Sequence, residues 1–187
     1  MAVTADFNVS TWIAKMKQGG ALASLFSAVL EGVPSQVSTK QWADDLMFYC
    51  KAASFPASTI EASTISYMGR EINIPGNRAA AQWTTTIYND EDFGIRNMLE
   101  EWMEYLNGHS NNKRNSEMIG IDKYTATLQV HQFPKSGDSS TKSYKFHNAW
   151  PSEIGEITTD WDTNDLQEYE VSWEFSHWGS ADSGAGE

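Results

Sequence analysis

Two hydrophobic periods meet in the middle of the chain. Apolar or β-branched residues alternate between Trp83 and Tyr88, so Trp83, Thr85 and Ile87 share one face of a predicted half-buried strand. Apolar residues then recur at steps of three and four, which predicts one long helix with a continuous apolar stripe. The stripe consists of Ile95, Met98, Leu99, Trp102, Met103 and Leu106. Because most other segments alternate, we expect this helix to pack on a β-sheet.

Capping residues mark both ends of the predicted helix. Asn89, Asp90 and Asp92 precede it and offer side-chain oxygens to the free amides of its first turn, where acids also suit the helix dipole. Asn107 and Gly108 provide the stop signal. The helix face opposite the stripe is predicted to be solvated, and it carries Arg96, Glu100, Glu101 and Glu104.

Alternating segments predict three further strands in the second half of the chain. They are Tyr124–His131, Lys142–Asn148 and Glu168–Phe175. The inner face of the last strand is predicted to carry Tyr169, Val171, Trp173 and Phe175. Its other face carries Glu168, Glu170 and Glu174, which must meet water because buried unpaired carboxylates are prohibitively costly.

Thr59–Ile74 is a predicted β-hairpin with its turn at Gly69 and Arg70. Few of its side chains are large, so it cannot bury much surface against its own domain. Two interpretations remain open at this point. The hairpin either projects and contacts a neighbouring molecule, or it is a mobile surface hairpin.

Other segments give weaker patterns. The spacing of apolar residues predicts a helix over Ala21–Leu30, and the apolar run within Asp45–Ala52 predicts a buried strand. Residues 1–20 are predicted to form an arm with helical spacing that begins behind Asn8. Residues 21–178 form the predicted main domain, and the Gly, Ser, Ala and acidic residues of 179–187 predict a flexible tail.

Composition limits the function classes. The 187 residues suffice for one domain with a sizeable core, and a formal net charge of −12 argues against a surface that grips nucleic-acid phosphates. A single cysteine, Cys50, cannot form an internal disulfide, which favours folding in a reducing cytoplasm. We predict no membrane span, because the longest apolar stretch is far shorter than the roughly 20 residues required.

Motifs for catalysis or metal binding do not assemble. The four histidines are far apart in sequence, and Asp92, Phe93 and Gly94 match a kinase motif without its companions. Asp160 begins an EF-hand-like run, but Asp165 stands where the loop requires glycine. We therefore predict no catalytic, cofactor or metal site, and no enzyme.

Three segments together resemble the tail tube proteins of contractile-tailed bacteriophages: Lys51–Arg78, Trp83–Met103 and Trp150–Trp178. The matching residues, in order, are Pro56, Arg70, Gly76, Arg78, Trp83, Asn89, Asp90, Glu91, Trp150, Pro151, Gly155, Asp160, Trp161 and Asp162. The resemblance spans about Ala21 to Trp178. Ordered matches across three segments are far more specific than one motif.

The resemblance implies a mainly β fold, a β-barrel or sandwich with one long helix packed on it and a projecting hairpin. It also implies that Leu25–Glu31 is a strand, which we adopt over the helical prediction. Further implications are hexameric rings that stack into a hollow tube in the virion, assembled in the host cytoplasm. The implied partners are sheath, baseplate and tail terminator proteins, a tape measure protein in the lumen, and DNA that passes without specific binding.

Rings that close and stacks that do not close require unlike surfaces. The hairpin is the natural candidate for contact between rings, through Thr59, Ile60, Ile65, Tyr67, Met68, Arg70, Ile72 and Ile74. We hypothesise that Glu168, Glu170 and Glu174 contribute to the lumen, because a wall that repels phosphate lets DNA pass. Alternatives are a tube protein of a secretion or extracellular contractile injection system, a baseplate tube-initiator protein, and an enzyme or ligand-binding protein on a β-barrel.

Overall fold

The computed structural model describes residues 8–16, 19–79, 81–137 and 139–180. The strands are β1 Phe26–Glu31, β2 Cys50–Ala53, β3 Thr59–Tyr67, β4 Arg70–Ala79, β5 Trp83–Tyr88, β6 Ala126–Gln132, β7 Lys142–Ile154, β8 Glu168–Glu174 and β9 His177–Ser180. The α-helices are α1 Val9–Lys15, α2 Leu46–Tyr49, α3 Gly94–Leu106 and α4 Ile121–Tyr124, with 3₁₀ turns at Lys40–Ala43 and Ser116–Met118.

Seven strands form the main sheet, in the order β1-β6-β7-β8-β5-β2, and β9 pairs with β7. The long strand β7 joins two parts of this sheet, since its first half pairs with β6 and β9 and its second half with β8. The sheet bends along β7, where Asn148 has a φ of 55° and register shifts interrupt both ladders. All ladders are antiparallel, and β1 comes close to β2, so the sheet curls around one core.

The core lies between the curled sheet and α3. Burial alternates strictly along β5 and β6, which confirms the predicted inner positions of Trp83, Thr85 and Ile87. Trp83 stacks on Phe146 with ring centroids 4.6 Å apart. Trp102 of α3 meets Trp173 of β8 edge to face at 6.2 Å, which confirms that the helix packs on the sheet through its apolar stripe.

Asp90 caps α3. Its Oδ2 accepts a hydrogen bond of 2.8 Å from the Gly94 amide, whereas the Asn89 side chain bonds to Gln167 instead. Phe93 precedes the helix in the left-handed region, with a φ of 54°. The next position, 94, requires glycine, because the Trp42 ring lies so close that a Cβ there would be 2.2 Å from a ring atom.

Glu101 corrects the prediction of a uniformly solvated helix face. Its two carboxylate oxygens accept four hydrogen bonds from the amides and hydroxyls of Ser38 and Thr39, at 2.7–3.2 Å, and a longer one of 3.5 Å from the Tyr105 hydroxyl. Partial burial raises the pKa of this carboxyl, but the hydrogen bonds outweigh that effect and lower its pKa to about 2. Glu101 therefore ties the loop after β1 to the helix.

The strand adopted for Leu25–Glu31 is confirmed, because Phe26–Glu31 pairs with β6, and the helix that the spacing of Ala21–Leu30 predicts does not form. One further prediction from the apolar pattern is wrong. The predicted strand within Asp45–Ala52 begins instead with the helical turn α2, and only Cys50–Ala53 is extended. In that turn Leu46 is buried while Phe48 is exposed, so the apolar run does not lie wholly in the core.

Shorter differences appear at element ends. Tyr124 ends α4 rather than opening β6, and Met118, in the segment between α3 and α4, is fully buried. At the N-terminus, Asn8 caps α1 as its sequence position suggests. Gly179 and Ser180, assigned by sequence to the flexible tail, belong to β9, while residues 181–187 and 1–7 lie outside the described part of the chain.

The fold is thus mainly β, as predicted, with the structural elements arranged around one curled sheet. The expectation of a single long helix is not confirmed. Besides the thirteen residues of α3, the described residues include the seven of α1 and two helical turns of four residues each.

Candidate assembly surfaces

The hairpin of β3 and β4 is a separate two-stranded sheet. Its strands pair with each other and, within the described residues, with no strand of the main sheet. Almost every hairpin residue is exposed. The two-residue turn consists of Met68 and Gly69, with φ values of 49° and 78°, rather than the predicted Gly69 and Arg70.

The register of the hairpin brings its large side chains onto one face. Ile65 lies opposite Ile72, and Tyr67 lies opposite Arg70. Because directly paired and alternate residues share a face, Ile74 joins them. The other face is polar, and there Thr64 donates a 3.0 Å hydrogen bond to Asn73. The predicted contact residues Ile65, Tyr67, Arg70, Ile72 and Ile74 therefore form one surface, which we call the apolar hairpin face.

The three remaining predicted contact residues are not part of the apolar hairpin face. Met68 lies at the tip and is 89% exposed. Ile60 follows the alternation of the polar face, beyond a register shift between Ile60 and Ala62. Thr59 lies at the hairpin base, opposite Ala79. The strands approach closely near the shift, since a Cβ on Gly76 would lie 2.9 Å from the Glu61 carbonyl oxygen.

The three predicted lumen carboxylates lie on the outer face of β8. Glu168, Glu170 and Glu174 are exposed in the isolated chain, whereas Tyr169, Val171 and Trp173 between them are buried. The expected orientation of the strand is therefore confirmed, although its location in a lumen remains a prediction. Glu168 forms an ion pair with Lys51 of β2.

The hairpin and the loop before β8 lie at opposite ends of β5. The hairpin leads into β5 at Trp83, whose indole donates to the Ser54 carbonyl near the hairpin base. The loop 155–167 adjoins the other end, since the Asn89 amide donates to the Gln167 carbonyl. Six residues of β5 separate the two ends by about 17 Å along the strand.

Side chains that could catalyse a reaction or bind a metal ion do not lie close together in the described part of the chain. No cluster there contains three His, Cys, Asp or Glu side chains arranged to hold a metal ion. Burial raises the pKa of the Cys50 thiol to about 11, which makes it a poor nucleophile. No described helix is long and apolar enough to cross a membrane.

Comparison with known proteins adds a family. Residues 3–181 match the family model of the phage tail tube protein. The chain is 29% identical over 144 residues to the tail tube protein gp19 of Enterobacteria phage T4, covering 76% of this chain and 86% of that protein. It is 24% identical over 127 residues to the tail tube protein of Serratia phage KSP90, covering 68% of this chain and 70% of that one.

Solved structures share the fold at low sequence identity. A chain in the sheath-tube complex of an extracellular contractile injection system superposes with a TM-score of 0.57 at 12% identity, covering 92% of this chain and 97% of that one. The tube-terminating cap of an anti-feeding prophage gives a TM-score of 0.58 at 15% identity, with coverages of 96% and 98%. These likenesses concern the fold alone.

Proposed function

The chain belongs to the phage tail tube protein family, and we propose that it is a structural subunit whose copies form hexameric rings that stack into a hollow conduit for DNA in a contractile tail. In this role the protein assembles and does not catalyse a reaction. The matches across its length agree with the three-segment resemblance found in the sequence.

The observation that carries the proposal is the apolar hairpin face. Ile65, Tyr67, Ile72 and Ile74 are between 41% and 65% exposed on a hairpin that the main sheet does not cover. Contiguous exposed apolar side chains of this kind mark protein interaction surfaces. A subunit of a polymer has such a surface because a neighbouring copy covers it.

The proposed partners follow from the same role. In the virion the tube would lie inside a sheath protein, begin at a baseplate and end at a terminator protein. A tape measure protein would occupy its lumen before DNA passes. Two solved structures with a similar fold support parts of this picture, since one is from a sheath-tube complex and the other is a tube-terminating cap. The net charge of −12 suits a conduit that does not bind DNA. Assembly would take place in the host cytoplasm, before the tail joins the virion.

Electron microscopy and sedimentation of the purified protein test the proposal. We expect rings that convert to hollow rods as the protein concentration rises, because assembly follows mass action. A monomer that persists at high concentration and turns over a small-molecule substrate would reject the structural role.

A further inference from the structure

The loop 155–167 contains a concave surface at the end of the domain that is remote from the hairpin base. A cavity of about 430 Å³ lies within it, in the size range of roughly 300–1,000 Å³ typical of binding pockets. Three carboxylate side chains, from Asp160, Asp165 and Glu168, line the cavity together with Leu166. We call this cavity the loop pocket.

Two large apolar side chains of the loop 155–167 are uncovered, one in the wall of the loop pocket and one beside it. Trp161 is fully exposed, at 103% of its reference area, and Leu166 is 71% exposed. A second concavity beside Trp161 is lined by Thr159 and Asp160. Exposed tryptophan is uncommon on the free surface of a monomer and is enriched at the centres of protein interfaces.

The charge of this loop has one sign. Glu156, Asp160, Asp162 and Asp165 are the only charged residues between Gly155 and Gln167. No described basic side chain forms an ion pair with any of these four. The loop therefore offers apolar contact together with unpaired negative charge, and its complement would be an apolar surface with positive charge.

The hairpin provides that complement. Arg70 is the charged residue of the apolar hairpin face at its tip, since Glu71 points to the polar face with Ser66, and Glu61, on the same side of β3, lies toward the hairpin base. No described carboxylate pairs with Arg70 in its own subunit. Next to Arg70 lie Tyr67 and Met68, which are 65% and 89% exposed. Arginine and tyrosine are preferred anchor residues of interfaces, and arginine pairs with carboxylates through two parallel hydrogen bonds.

We propose that the hairpin tip of one copy docks into the loop pocket of a copy in the next ring, with Arg70 facing Asp160 and Asp165 and with Trp161 against the apolar hairpin face. This inference rests on the proposed function and names the surface that receives the hairpin. The two surfaces lie at opposite ends of β5, so the contact is head to tail. Repeated along the direction of β5, it would yield an open stack. The hairpin is long enough for this, because the nine residues of β3 extend about 27 Å from its base.

Other exposed apolar groups fit the hairpin less well. Phe48 lies between Asp45 and Lys51, and Ile121 is followed by Asp122 and Lys123, so both have charges of each sign close by in the sequence. The loop pocket combines a cavity, uncovered apolar side chains and charge opposite to that of Arg70.

A charge exchange tests the docking. Arg70→Glu should leave hexameric rings but reduce the yield of stacked tubes at least tenfold, because it places a carboxylate against carboxylates. Adding Asp160→Arg and Asp165→Arg to this variant should restore stacking, since the charges are then exchanged. Glu71→Lys, on the polar face, and Asp122→Lys, outside the pocket, are matched controls and should form tubes like the unaltered protein.

Crosslinking provides a readout that does not depend on charge. In a Cys50→Ser background, mixed chains carrying Met68→Cys or Leu166→Cys should form crosslinked dimers in tubes, whereas Met68→Cys mixed with Asp122→Cys should not. The docking is overturned if Arg70→Glu assembles normally, if the exchanged charges fail to restore stacking, or if the first pair does not crosslink. Absence of rings and tubes from the unaltered protein would instead reject the proposed function itself.

Discussion

Glu101 illustrates what a local pattern omits at the scale of the residue. Its helical position places it on the polar face, and the sequence offers no reason to separate it from Glu100 or Glu104. Ser38 and Thr39, which donate its four shortest hydrogen bonds, are more than 60 residues away along the chain. Asp90, in contrast, was identified in advance, because a cap and its helix are neighbours in sequence.

Replacement of Glu101 by Gln should reduce the free energy of unfolding by about 1–2 kcal/mol at neutral pH, because one of its two accepting oxygens becomes a donor. The pKa of about 2 lies below the reference value of 4.5, so ionised Glu101 stabilises the fold above pH 4.5. That contribution disappears as the pH falls from about 4.5 to 2. Chemical denaturation measured across this range should therefore show a steeper loss of stability in the unaltered protein than in Glu101→Gln.

Glu117→Gln is the matched control, because Glu117 is exposed and its carboxylate makes no hydrogen bond to the described residues. It should follow the pH dependence of the unaltered protein. Equal stability of Glu101→Gln and Glu117→Gln at pH 7 would show that the carboxylate does not hold the loop.

At the scale of the element, strand and helix were predictable where the hydrophobic period was long and regular. β5, β6, β8 and α3 appear close to where alternation and three- to four-residue steps place them. The helix predicted for Ala21–Leu30 does not form. A short apolar run fits both the helical and the strand period, and pairing with β6 decides between them. The strand predicted for the apolar run at Leu46–Tyr49 is wrong for a related reason, since the run forms one helical turn that buries Leu46 and leaves Phe48 exposed.

The two faces of the hairpin predict different outcomes for assembly. Ile65→Ser combined with Ile72→Ser should leave the monomer's melting temperature nearly unchanged, because both residues are exposed and paired only with each other across the hairpin. Tube formation should be lost, since these residues form the apolar hairpin face. Turbidity and electron microscopy measure assembly, and circular dichroism reports the fold. Deletion of Ser63 to Glu71 should have the same consequences.

The polar hairpin face provides the control. Thr64→Ser combined with Asn73→Ser changes the opposite pair of positions and should form normal tubes. Normal tubes from the Ile65 and Ile72 variant, or from the deletion, would mean that the hairpin contributes nothing to stacking.

At the scale of the whole molecule, sequence predicted the hairpin as a contact element but not its sidedness. Alternation about the turn would have placed Ile65, Tyr67, Arg70 and Ile72 together once the turn was assigned to Met68 and Gly69. The loop pocket was not predictable, because its walls come from residues without a regular period and from the start of β8. The hairpin and the loop pocket lie at opposite ends of the domain because of the order of the strands in the sheet. No local sequence pattern encodes that order.

The outer face of β8 carries the remaining prediction, that its carboxylates border the lumen. Glu168 is already bound to Lys51 and lines the loop pocket, so its replacement would disturb more than the lumen. Glu170→Lys combined with Glu174→Lys avoids this difficulty. These tubes should assemble and retain DNA, and the retention should weaken steeply with added salt, because each lysine–phosphate contact releases counterions. Filter binding of DNA to purified tubes over a salt series measures the effect.

A matched control separates position from net charge. Glu117→Lys combined with Asp122→Lys changes the total charge by the same amount, at exposed residues that lie outside β8. If the lumen carries Glu170 and Glu174, the control tubes should not trap DNA that has entered the lumen, and nuclease should digest any DNA bound to their outer surface. DNA in tubes of the β8 variant should resist nuclease, because the tube wall surrounds it. Equal nuclease sensitivity in the two variants would place these glutamates on the outside of the tube.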